Sequence, residues 1–145
     1  MFGDLRQRGE IIEESYEFML AFAAQGLPSE EGSRAGGQVR EFLIRAAKAM
    51  DGLAESFATS IEQEGLEPAK KYRAFLAVLD RDAHDSLAAL ELVLAQPVIS
   101  SQLIDNLNAS MHLRALLTDV FLLGEILRSQ TLCEQRGAET LAVSR

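Results

Sequence analysis

The stretch LRALLTDVFLLGEIL, residues 113–127, decides the fold. Leu113, Leu116, Val120, Leu123 and Leu127 recur at intervals of three and four, which lines them along one face of an α-helix. Leu117, Leu122 and Ile126 widen that face. Arg114, Asp119 and Glu125 interrupt the run, so it is too short and too polar to span a bilayer.

Working outward, this helix follows Pro97, with Ser100 or Ser101 as its N-cap, and reaches about Arg136. A third helical pattern starts at Pro68 and runs to Gln96, with Tyr72, Phe75, Leu79, Leu90 and Val93 on its apolar side. A second covers Gly36 to Glu64 and stops at Gly65; Val39, Leu43, Met50, Phe57 and Ile61 form its stripe. The first covers Gly3 to Gln25 and ends at Gly26, with Pro28 just beyond. Its apolar side holds Leu5, Ile12, Tyr16 and Met19, while Glu10, Glu13, Glu14 and Glu17 read as a solvated face.

No strand pattern and no internal repeat interrupts this reading. The links at Gly65–Glu67 and Gln96–Pro97 are short, which forces neighbouring helices to run in opposite directions. The expectation is all-α: an antiparallel up-down-up-down four-helix bundle with long helices. Residues 1–136 form one domain and residues 137–145 a short frayed tail. The 145 residues suffice for one core. With no Trp and 6% aromatic residues, Leu and Ala must fill it, which also favours helices.

The net charge is −8, an acidic balance that repels nucleic-acid backbones and anionic membranes alike. A single cysteine, Cys133, forms no internal disulfide and reads as a spectator thiol. The N-terminus lacks the apolar core of a signal peptide, so the expected location is the cytoplasm.

The first and last helices have apolar arcs wider than a single bundle needs. Phe18, Phe22 and Phe121 are therefore expected at an interface, in a homodimer or with another helical protein.

Three ionisable residues fall where the helical phase places the core. Asp82 lies in the apolar arc of the third helix; His112 and Asp119 lie one heptad apart on the fourth, with Asp105 a heptad earlier. Both Asp82 and His112 are about fifteen residues from the Pro97 turn, so the spacing predicts a contact between them. Carboxylates with an imidazole suit a divalent metal or a small polar ligand. The structural alternatives are a register-setting contact and a place on a subunit interface. The di-metal bundle pattern is missing, because no Glu-x-x-His occurs. His84 shares the polar side of its helix with Asp80 and Glu91. Arg34, Gly36 and Gly37, at a helix start, offer backbone amides for an anion, although a flexible linker explains the same residues.

No nucleophile, phosphate-loop or dinucleotide motif is present, and no cofactor is expected. The sequence therefore reads as a non-enzymatic accessory, scaffold or regulatory protein that works through protein contacts. The alternative is a helical bundle that binds a metal or small ligand at a polar site in its core.

Overall fold

The computed structural model describes residues 2–143, with side chains at 131–135 and 141–143 excepted. It is all-helical, with no strand among the described residues. Six helices follow in order: α1 (Gly3–Ala24), α2 (Gly36–Met50), α3 (Leu53–Gln63), α4 (Ala69–Leu94), α5 (Ser101–Ala109) and α6 (Met111–Val143).

Two of the four expected helices are each broken once. The second breaks at Gly52, whose φ of +95° lies in the left-handed region that glycine adopts without a Cβ clash. The fourth breaks at Ser110, which is extended (ψ 139°) between α5 and α6; its Oγ accepts from the Leu113 N–H and so caps the new helix. Conversely, α6 passes through Gly137 to Val143, so residue 136 is not a helix end.

Three latches hold these ends in place. Arg8 on α1 donates through Nη1 to the carbonyls of Lys48, Ala49 and Asp51, which have lost their helical partners at the end of α2. Arg40 on α2 does the same for α4, donating to Leu94, Gln96 and Pro97. Ser101 Oγ donates to the Phe22 carbonyl (2.6 Å) and accepts from the Leu27 N–H, which ties the end of α1 to the start of α5.

The α1 helix packs on α2, α3, α5 and α6, while α4 packs on the same four. Contacts between α4 and α6 include Ser86 Oγ donating to the His112 carbonyl (2.8 Å) and Gln130 donating to the Tyr72 hydroxyl (3.0 Å). The core between these helices is aliphatic, with Phe22 and Phe57 its largest side chains. Phe22, expected at an interface, is therefore a core residue, 0% exposed. Phe18 is half-buried and stacks on Phe42, with 4.2 Å between ring centroids. Among the described residues no helix is long and apolar enough to cross a membrane.

Candidate functional site

The polar residues expected in the core separate in space. Asp119 is buried and Asp82 half-buried, and their side chains meet across α4 and α6. His112 is exposed, and its partner is Asp85, 3.8 Å away, rather than Asp82. The register of the two helices explains the difference: Ser86, one turn beyond Asp82 on α4, lies level with His112 and binds its carbonyl, just after Ser110 starts the new helix. Asp105 is exposed on α5 and, beyond the break, no longer lies on a line with Asp119. Among the described residues no group of three or more His, Cys, Asp or Glu is placed to hold a metal ion. The side chain of Cys133 lies outside the described residues.

Burial pushes the Asp119 carboxyl up to about 7, and the hydrogen bond and charge of Asp82 push the same way. Asp119 Oδ2 is buried and, among the described residues, receives no hydrogen bond from a conventional donor. Two ionised carboxylates repel, so the contact is favourable when one of them carries a proton and shares it.

The loop before α2 is not an open anion cradle. The Gly36 N–H donates to Ser33 Oγ and the Gly37 N–H to the Ser33 carbonyl. Gly36 is also wedged against the Glu30 backbone, where an added Cβ would clash with the carbonyl oxygen. Arg34 is exposed. The charged group that the loop does organise is Glu30, which pairs with Arg40 (2.7 Å) and accepts from the Ile99 N–H.

A concavity of about 230 Å³ lies elsewhere, between α1 and α6. Its floor is apolar: Leu5, Leu53, Leu79, Leu123 and Leu127, all buried. Glycines stand in both walls. Gly9 faces Val120, whose Cγ1 would be 3.1 Å from a Cβ built on Gly9. Across the cavity, Gly124 has nothing within 4 Å of the Cβ position. Phe2, Arg6, Arg128, Glu10 and Glu13 complete the lining.

Glu13 thus leaves the solvated face on which its spacing placed it. Half-buried at the cavity, its carboxyl is raised above the ordinary value by burial first, then by Glu10 and Glu17. Sequence spacing could not show this cavity, because a gap between helices is a property of their separation. The visible signal was the pair of glycines, Gly9 and Gly124, inside otherwise regular helical patterns.

Compared with protein-family models, with curated proteins and with solved structures, the chain matches none.

Proposed function

We propose that this chain is a non-enzymatic binding protein whose working part is the cavity between α1 and α6. In this reading α1, α2–α3, α4 and α5–α6 act as four segments of an antiparallel up-down-up-down bundle. Supporting it, Phe18 on α1 meets Phe42 on α2 while the earlier Arg8 meets the later Lys48. Likewise Asp82 on α4 meets Asp119, while the earlier Tyr72 meets the later Gln130.

The observation that carries the reading is the cavity itself: an apolar floor and an open space at Gly124, with ionisable groups in its lining. Small-molecule sites have this composition, an apolar body with a few placed polar groups. The test is uptake of the neutral dye N-phenylnaphthylamine, followed by fluorescence. Gly124→Leu should fill the space and abolish uptake without loss of helical circular dichroism. Undiminished uptake by that variant would show that the dye binds elsewhere.

A second reading, contact with a protein partner or a second copy, is favoured by Phe121 and Leu122. These adjacent residues on α6 are 56% and 48% exposed. Apolar residues exposed side by side often mark an interface. Sedimentation at micromolar concentration checks it: a homodimer through α6 should dissociate on Phe121→Ser, and a monomeric wild type would exclude it.

A further inference from the structure

We infer that the cavity between α1 and α6 takes an amphipathic anion, an aliphatic carboxylate whose chain lies past Gly9 and Gly124 and whose head sits between Arg6 and Arg128. The inference rests on the cavity-binding reading above and adds the chemistry and orientation of the ligand.

Charge in the cavity is segregated along the helix axes. Gly9 of α1 and Val120 of α6 are level with each other. In an antiparallel pair, residues before Gly9 lie level with residues after Val120. Arg6 precedes Gly9 and Arg128 follows Val120, so both guanidinium groups belong to one end. Glu13 follows Gly9 and belongs to the other end, and Glu10 stands between.

The basic end is short of partners. Among the described residues Arg6 makes no side-chain hydrogen bond or ion pair; Arg128 touches only Glu125, at 3.4 Å on an exposed surface. Such a pair contributes little and is readily exchanged. The α1 helix also starts at this end. Its N-cap, Phe2, offers no side-chain hydrogen bond, and Phe2 itself lines the cavity. The positive end of the helix dipole lies beside the two arginines, and Asp4 of the first turn is already engaged by Arg8. Guanidinium groups suit a planar carboxylate, which they bind through paired N–H donors.

The acidic end has the opposite effect. Glu13 repels an anionic head there, so an elongated anion is held one way round. A second carboxylate at the far end of the ligand would meet the same repulsion, which selects monocarboxylates over dicarboxylates. The middle, with leucines, glycines and the acceptor Glu10 but no hydrogen-bond donor from a side chain, suits an uncharged apolar chain.

Titration calorimetry on the full chain tests this with decanoate, decanol and decylamine, each below its micelle concentration. Decanoate should bind at a single site, and decanol about tenfold more weakly, the value of one charge-assisted contact. The Arg6→Ala/Arg128→Ala double variant should lose about that factor for decanoate and keep its affinity for decanol. Circular dichroism of that variant establishes that it is folded. Equal binding of decanol, tighter binding of decylamine, or an unaffected double variant would overturn the anion assignment while dye uptake leaves the cavity reading standing. Failure of all three ligands and of the dye would overturn both.

Discussion

Asp119 on α6 presses its buried carboxyl group against that of Asp82 on α4, and among the described residues no conventional donor reaches Asp119 Oδ2. The contact joins two helices through groups that repel each other when both are charged.

This relationship makes stability depend on pH with a definite sign. Asp119 stands at about 7 in the folded chain, above its ordinary 3.8. Its contribution is complete below 3.8 and is lost as pH rises through about 7. Glu13 is raised too, and its contribution falls with rising pH as well. Asp4, held low by Ser56 and Arg8, works in the other direction, with a contribution lost only as the solution becomes strongly acidic. Urea unfolding should therefore show greater stability in mildly acid than in mildly alkaline solution. Asp119→Asn should flatten that slope and, at alkaline pH, stabilise by about 1–3 kcal/mol, because a neutral amide replaces an unpaired buried charge. A variant less stable than wild type at alkaline pH would contradict this account.

The two cavity glycines should respond differently to alanine. A Cβ at Gly124 meets nothing, so Gly124→Ala should gain the usual helix-interior difference of about 0.5–1 kcal/mol. At Gly9 the added methyl meets Val120 Cγ1 at 3.1 Å, so the same gain is offset by crowding. Thermal unfolding of the two variants compares them directly, with Gly124→Ala the more stable.

Arg40 is a fork that cannot be replaced by a point charge. It pairs with Glu30 and donates to three carbonyls at and beyond the end of α4. Glu30 in turn accepts from Ile99; these bonds hold its carboxyl below the ordinary value although burial pushes it up. Arg40→Ala should cost about 2–3 kcal/mol, and Arg40→Lys should recover less than half, since an ammonium group lacks the planar donor set. Urea midpoints of the three proteins measure both numbers.

Gly52→Ala should cost roughly 1–2 kcal/mol, the penalty for forcing an L-residue into the left-handed region. The φ of +95° there separates α2 from α3, and the new methyl would lie 3.3 Å from the Arg8 guanidinium. Loss of the Arg8 latch would appear as faster amide exchange at Asp51, whose N–H donates to the Ala47 carbonyl at the end of α2.

Much of this molecule is readable from its sequence because helices obey a local period. The residues of the apolar stripes, such as Leu43, Phe57, Leu79 and Leu116, are the buried ones. The terminators Gly26 and Gly65 both take positive φ, as their positions after helices imply. The breaks were less legible. Asp51–Gly52 and Ser110 are turn and cap residues, yet the apolar period runs through them, so period alone reads two helices where there are four. The pairing of Asp82 was half legible: phase placed it and Asp119 at the core, but the break at Ser110 turned the His112 side chain outward to Asp85.

The sequence by itself determined the helical class, the positions of most core residues and the burial of Asp119, because each follows from a repeat of three to four residues. Tertiary structure alone decided which charges meet and where space remains. Asp82 finds Asp119 rather than His112 because His112 lies level with Ser86, one turn further along α4, and the cavity has room beside Gly124, where no side chain fills it. Register and separation are set by packing among segments distant in the chain, and no local period encodes them.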